Sequence, residues 1–351
     1  MPPAVMCVAT TDITEMMNPG PERRMALPGF ADEFVDFPHY IIRITERIWH
    51  DREVDLCLDW YSEDCAIHTL AGPITGAQTV VDNTWATLAA FPDRRLDGDN
   101  VIWSDEGDGS FLSSHLITSK MTNLGDSDFG PATGKRVLVR TIADCLCREN
   151  RIVEEWLVRD NLALVEQMGS VPAEVAARQA GRDAEKGAPL FEVLAPYHAA
   201  ALNGADAEPA REAQSIAVEQ LRAAWYGDDA RAAGLSDFRL GAWVPGGKFL
   251  YGPDRHAEWR ASIRAAFGPH VRLRIEHIAE VPYLGEARDV AVRWSLAGWH
   301  EGEGAYGTPT AAPLLIMAVS HFRIMQGRVR EEVTIWDDIA VLRQIAGFTH
   351  S

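Results

Sequence analysis

The sequence predicts an α+β fold used twice in one chain, and three observations predict it. The stretch NRIVEEWLVRDNLALVEQMG, from Asn150 to Gly169, returns near the end as GRVREEVTIWDDIAVLRQIAG, from Gly327 to Gly347. Arg151, Glu154, Glu155, Asp160 and Gln167 fall on Arg328, Glu331, Glu332, Asp337 and Gln344 at one offset (337 − 160 = 177). That period far exceeds the ~20–50 residues of a solenoid unit and fits a whole domain of ~100–200 residues. Next, each half runs helices first and strands afterwards, the order of an α+β protein and not of an alternating α/β fold. Last, 351 residues, 47% hydrophobic and 24% charged, suffice for two separate cores. Each half is expected to wrap a curved antiparallel sheet on helices.

The elements follow in order. Residues 1–33, with Pro2, Pro3, Pro19, Pro21 and Pro28, read as an irregular lead suited to packing on another subunit. Helical periodicity runs through FVDFPHYIIRITERIWH, with Pro38 in its first turns. REVDLCLDWYSED reads as a second helix and CAIHTLAG as a strand, with Gly72, Pro73 and Gly76 marking a turn. TVVDNTWATLAAF is a third helix, stopped by Pro92. RRLDGDNVIWSD, SFLSSHLITSKMTNLG and KRVLVRTIADCLCR have strand character. In the repeated stretch, Arg151 to Val158 alternates and is rich in β-branched and aromatic residues, which makes a strand with Ile152, Glu154, Trp156, Val158 and Asp160 on one face. Asp160 stands at the N-cap of NLALVEQM, and Gly169 can close that helix.

The first domain is therefore 34–169. A linker, 170–208, is part helical through VPAEVAARQAGRDAEKG, and the second domain is 209–351. There AREAQSIAVEQLRAAWYG, DDARAAGL and DRHAEWRASIRAAFG are helical. FRLGAWVPGGKFLYG is a hairpin with Pro-Gly-Gly at its tip. VRLRIEHIAEVP, ARDVAVRWSLAGWHEG, PLLIMAVSHFRIM and GRVREEVTIW are strands.

Composition excludes several partners. A net charge of −18 argues against nucleic acid and anionic membrane surfaces, both of which want basic patches. Cys7, Cys57, Cys65, Cys145 and Cys147 form an odd, sparse set that suits a reducing compartment, so a cytoplasmic location is expected. No CxxC or Cys/His cluster accompanies them, so no metal is expected. No Gly-rich phosphate loop, nucleophile elbow or HExxH appears, so no cofactor is expected. The N-terminus shows no secretory signal, and no run approaches ~18 apolar residues.

Trp49 with Arg52, DWYSEDCAIHTLAGPITG, Phe91 to Asp93, the GPATGKRV run from Gly130, and NRIVEEWLVRDNLALVEQMG together resemble the SnoaL-like polyketide cyclases of the nuclear transport factor two-like superfamily. The resemblance covers roughly 34–169. The second half, roughly 209–346, matches chiefly through its last two strands and WSLAGWHEG. It implies a cone-shaped α+β barrel with a pocket between sheet and helices, and tandem domains that pair as stand-alone members do, within the chain or as a homodimer. The superfamily spans cyclases, isomerases, dehydratases, epoxide hydrolases and inactive binding modules, so the fold alone does not name a reaction. The family's acid on the last strand falls at Leu157 here and at Thr334 in the second half; three residues later both halves have an acid, Asp160 and Asp337. The isomerase branch places its base near Thr69, which cannot serve as a carboxylate.

Asp144 lies in the apolar strand TIADCLC, where an acid must be hydrogen-bonded, paired or neutral. The repeat places it on His321 (321 − 144 = 177). Asp144, Asp160, His321 and Asp337 are the candidate acid/base groups. His68, His115, Glu154 and Trp156 are expected to shape the first pocket. Trp243, His300 and Glu331 are expected to shape the second, and His300 has Met121 near its position in the first half. The bland alternatives are that Asp160 and Asp337 only cap helices, Glu154 and Glu155 form a salt-bridged strand, and the lone histidines and tryptophans are core. The expected function is cofactor-free proton transfer on a small, largely apolar carbonyl or polyketide-like compound (cyclisation, isomerisation or dehydration), because burial tunes a carboxyl pKa toward the operating pH. The alternative is a non-catalytic small-ligand-binding or interaction protein. The first pocket is favoured as the working one.

Overall fold

A computed structural model describes residues 16–349; Cys7 and the first two prolines of the lead lie outside the described residues. The chain divides into two compact units. One comprises residues up to Thr69, Pro73–Leu157 and Ala279–Ala287; the other comprises Leu70–Gly72, Val158–Ile278 and the residues from Arg288.

Helix α1 (Phe37–Trp49) starts where Asp36 accepts a hydrogen bond from His39 N at 2.8 Å, with Pro38 in the first turn where no N–H is missed. Its buried stripe is Phe37, Tyr40, Ile41, Ile44 and Ile48. A 3₁₀ turn (Val54–Leu56) and the short α2 (Cys57–Trp60) follow, then β1 (Tyr61–His68), β2 (Ile74–Thr75) and α3 (Ala77–Ala90). The second helix is thus shorter than expected, because Tyr61 already pairs with the last strand of the sheet. Strands β3 (Arg95–Asp105), β4 (Ser110–Thr122), β5 (Arg136–Arg148) and β6 (Arg151–Arg159) complete a sheet of order β2-β1-β6-β5-β4-β3.

Helix α4 (Asn161–Met168) closes on Gly169 in the left-handed conformation, and α5 (Pro172–Glu185), α6 (Leu190–Val193) and α7 (Ala195–Asn203) follow. The fold then repeats: α8 (Glu212–Trp225), α9 (Asp229–Leu235), β7 (Ser236–Val244), β8 (Lys248–Tyr251), α10 (Pro253–Phe267), β9 (Arg272–Pro282), β10 (Arg288–Trp299), β11 (Pro313–Met325), β12 (Arg328–Ile335) and α11 (Asp338–Thr349). The second sheet has the order β8-β7-β12-β11-β10-β9, the first order shifted by six. Both sheets are mixed, not wholly antiparallel as expected. β1 runs parallel to β6, and β7 parallel to β12, because a helix-bearing connection separates the paired strands in sequence.

The repeat extends to loops the sequence had not aligned. Asn123 between β4 and β5 accepts from Thr133 N and Oγ1, while His300 between β10 and β11 contacts Thr310 Oγ1 at 3.1 Å; both pairs are 177 apart. The counterpart of His300 is therefore Asn123, two residues beyond Met121. Gly125 and Gly302 share the offset. A Cβ on either would lie 2.4 or 2.0 Å from a helix carbonyl, of Ala89 or Ala265, so each loop can settle on its helix only through glycine.

The described part of the lead packs on its own unit. Met16, Phe30 and Phe34 are buried in the helix–sheet core, Phe30 meets Tyr40, Phe37 and Phe111 edge-on, and Arg23 pairs with Asp36. Three aromatic and thioether side chains of the lead are thus covered within its own unit.

Candidate functional site

Strand register decides which side chains face the helices. In the first unit Cys65 and Ile67 of β1, Val101 of β3, Phe111 of β4, and Ala143, Cys145 and Cys147 of β5 share one cluster with α1, α2 and α3. Ser113 pairs with Cys145, His115 with Ala143, and Glu155 with Ile67, so Ser113, His115 and Glu155 face the same helices. Asp144 pairs with Ser114, Glu154 with Ala66, and Trp156 with His68. These lie on the other face. The sequence-based pocket set is therefore split. His115 stays with the helix-facing group. Asp144, Glu154, Trp156 and His68 do not join it, because the strand face chosen by alternation was the outer one.

The outer group has its own order. His68 Nε2 lies 2.8 Å from Glu154 Oε1, both half-buried, and the imidazole stacks on Trp156 with centroids 5.0 Å apart. On the helix-facing side Glu155 is buried. Burial, and then the charge of Glu155, push the thiols of Cys57 and Cys65 up to about 12 and those of Cys145 and Cys147 well above their usual value. The Tyr61 phenol is raised for the same two reasons. Burial alone lowers His115 to about 4, so its imidazole is neutral. Leu157, at the family's acid position, packs against this core. Sequence reasoning missed Glu155. Its signal was present: an acid flanked at i ± 2 by Val153 and Leu157 sits on an apolar, hence inner, face.

The second unit places Glu332 where the first places Glu155 (332 − 155 = 177), paired with Ala242 as Glu155 is with Ile67. Its surroundings differ. Arg260 Nη2 lies 2.8 Å from Glu332 Oε2 and His256 Nε2 3.4 Å from Oε1, all fully buried. Thr334 donates to Glu332 at 2.7 Å, Ser320 contacts Thr334 at 2.7 Å, and Trp294 donates to Ser320 at 2.9 Å. Against a desolvation that raises it, Arg260, His256 and Thr334 hold Glu332 down at about 2. Around this network Trp225, Trp259, Trp294 and Trp336 contact one another at 5.3–6.4 Å. The cleft beside His256 and Arg260 has a cavity volume of about 10 Å³, room for a single water, far below the ~300–1,000 Å³ of ordinary ligand pockets.

The other candidates of the second half are accounted for by packing. His321 pairs with Ala291 and Val333, on the face away from α8 and α10. Trp243 pairs with Val333 and leans on Phe249 at 4.9 Å, which gives it the place His68 holds in the first sheet. Glu331 is half exposed and bridged to Arg323 at 2.7 Å. His300 is buried in its loop, and burial lowers its pKa.

Asp160 belongs to the second unit, and its contacts fit the capping alternative. Its carboxylate accepts from Ala163 N at 3.0 Å, Gly246 N at 2.8 Å and Gly247 N at 2.8 Å, which caps α4 and holds the β7–β8 tip. Replacing Asp160 by Ala is expected to cost about 2 kcal/mol of stability, as for a strong cap, read as a lower urea midpoint. Asp337 likewise accepts from Ala340 N at 3.1 Å and from Asn161 Nδ2. Asp338 accepts from Tyr306 Oη at 2.6 Å and Trp336 Nε1 at 2.7 Å.

Burial raises Asp337 and Asp338 to about 6. A raised carboxyl stabilises the fold fully below its unfolded pKa, and that contribution is lost as pH rises through about 6. The lowered imidazoles of His115, His256 and His300 act the opposite way, since their contribution is lost as pH falls. The carboxyl part is thus isolated by difference. Between pH 5 and 7, Asp337→Asn should gain stability relative to the parent, measured as unfolding midpoints at each pH.

Among the described residues no three His, Cys, Asp or Glu side chains are arranged to hold a metal ion, and no helix is long and apolar enough to cross a membrane. Residues 39–168 match the model of the family described as SnoaL-like polyketide cyclase, so the first repeat is a SnoaL-like domain. No curated protein matches the sequence significantly. Among solved structures, wild-type IdmH from Streptomyces antibioticus is 21% identical over 37% of this chain and 96% of its own, with a TM-score of 0.32. TsrD from Streptomyces laurentii is 18% identical over 38% and 96%, with a TM-score of 0.33. A SnoaL-like polyketide cyclase from Agrobacterium tumefaciens is 17% identical over 37% and 95%, with a TM-score of 0.32.

Proposed function

We propose that the first repeat carries out cofactor-free proton transfer on a small, largely apolar carbonyl or polyketide-like compound, with Glu155 as the acid/base group. The second repeat is its scaffold. One observation carries this reading: the same sheet position holds a buried carboxylate in both halves, beside a guanidinium in the second and among thiols and a phenol in the first. Glu332 is fixed as an anion by Arg260 and cannot take up a proton near neutral pH. Glu155 is buried among thiols and a phenol that stay neutral, the environment in which a carboxyl can take a proton from carbon and return it. The neutral His115 offers no charge of its own to compete for that role.

The step moves one proton. The carboxylate of Glu155 removes hydrogen from a carbon next to a carbonyl, the C–H electron pair passes into an enolate, and the protonated carboxyl returns the proton at the same or another atom. The test needs no knowledge of the natural substrate. Small ketones, 1-tetralone among them, are incubated with the protein in D₂O, and exchange next to the carbonyl is read by NMR. Catalysed exchange of at least one ketone is the expected result. The presence of Leu157 at the family's acid position favours a second reading, a ligand-binding domain without turnover. Ketones that bind while exchanging no faster than in buffer would establish that reading instead.

A further inference from the structure

Among the buried side-chain atoms of the first repeat that lack a hydrogen-bond partner within the described residues are Tyr40 Oη, Ser113 Oγ and His115 Nε2. Each residue is at least 97% buried, with relative exposures of 0%, 0% and 3%. Nearly all buried polar groups in folded proteins are paired, so three orphans on one wall call for an absent partner. They share a neighbourhood. Ser113 and His115 alternate on β4, about 7 Å apart, and face the helices. Ser113 is the register partner of Cys145. Tyr40, one turn into α1, is buried in the same cluster as Cys145 and Cys147. Around them stand Phe30, Phe37, Phe111 and Trp103, an aromatic lining.

We propose that Tyr40, Ser113 and His115 form a hydrogen-bonding subsite for an uncharged oxygen, a ketone or hydroxyl, on a flat apolar ligand. The inference rests on the reading that the first repeat holds the ligand, and it adds the group that orients it. Two hydroxyls can donate to a carbonyl oxygen, and a neutral imidazole can either donate or accept. An anionic ligand group would lie near the Glu155 carboxylate, and a hydrocarbon would leave all three groups unmet. Because Ser113 and Glu155 both lie beside Cys145, an oxygen held here would set its neighbouring carbon toward the carboxylate.

The experiment compares two bicyclic probes that differ by one oxygen, 1-tetralone and tetralin, by titration calorimetry on the full chain. The parent is expected to bind the ketone about tenfold tighter, and Tyr40→Phe and Ser113→Ala to reduce that preference to about threefold or less. Glu155→Gln should retain it, so loss of proton exchange and loss of the subsite are read separately. A further readout separates binding from architecture. If the Tyr40 hydroxyl is unpaired in the free protein, Tyr40→Phe leaves the ligand-free unfolding midpoint unchanged or raises it. Equal binding of both probes, binding of neither, an unchanged preference in the variants, or a lowered ligand-free midpoint in Tyr40→Phe would overturn the subsite.

Discussion

Arg260→Met is expected to destabilise the second repeat by about 3–5 kcal/mol, because it leaves the Glu332 carboxylate buried without its counter-charge. The guanidinium sits 2.8 Å from the carboxylate with both side chains almost wholly buried, so solvent cannot replace what is removed. The double change Arg260→Met/Glu332→Met should recover most of the loss, since a buried ion pair and an apolar pair of similar volume are close in stability. Urea unfolding of the parent, the two single variants and the double variant completes the cycle. Additive losses in the double variant would mean that the two groups act independently and that the network is not what holds Glu332 ionised. The pH dependence carries a matching sign: Glu332 has its folded pKa depressed to about 2, so its stabilisation is present above the unfolded value of 4.5 and is lost as pH falls toward 2.

Glu155→Gln should lower the rate of ketone hydrogen exchange by ~10²-fold or more, the loss that follows removal of a true acid/base group. The amide is nearly isosteric, so binding and fold are expected to persist. Asp144→Asn and Asp160→Asn provide the contrast. Asp144 lies on the opposite face of its sheet, and the oxygens of Asp160 are already engaged by three backbone N–H groups, so neither change should approach that loss. A tenfold or smaller drop in Glu155→Gln with a large one in Asp144→Asn would move the chemistry to the outer face, beside the His68–Glu154 pair.

Much of the fold could be read from local pattern, and the site could not, for reasons that particular residues make plain. Asp160 and Gly169 bracket α4 with a side-chain cap and a left-handed glycine, features encoded within ten residues. Which way Glu155 points depends on distant strands. β4 is buried at every residue from Ser110 to Ser119, so alternation carries no sign of which face meets the helices. Where β12 pairs with β11 the register slips between Arg323 and Ile324 of β11, and in β12 Val329 and Glu332 are both buried although three residues apart, which defeats strict counting by two. The pairing of Glu332 with Arg260 and His256 spans more than seventy positions. Only the i, i+4 spacing of His256 and Arg260 on α10, which aims both at one side, was visible beforehand.

The four indoles that fill the second repeat make its specialisation a ratchet. To reopen that interior, evolution would have to shrink several of Trp225, Trp259, Trp294 and Trp336 and release Arg260 from Glu332. Each single step is uphill: a buried tryptophan truncated to alanine costs about 3–5 kcal/mol. Whole-domain stability is only ~5–15 kcal/mol, so two such steps taken in succession bring a lineage to the edge of unfolding before any new cavity can be useful. A duplicated domain whose interior is filled by indoles in this way has little mutational path back to an open pocket.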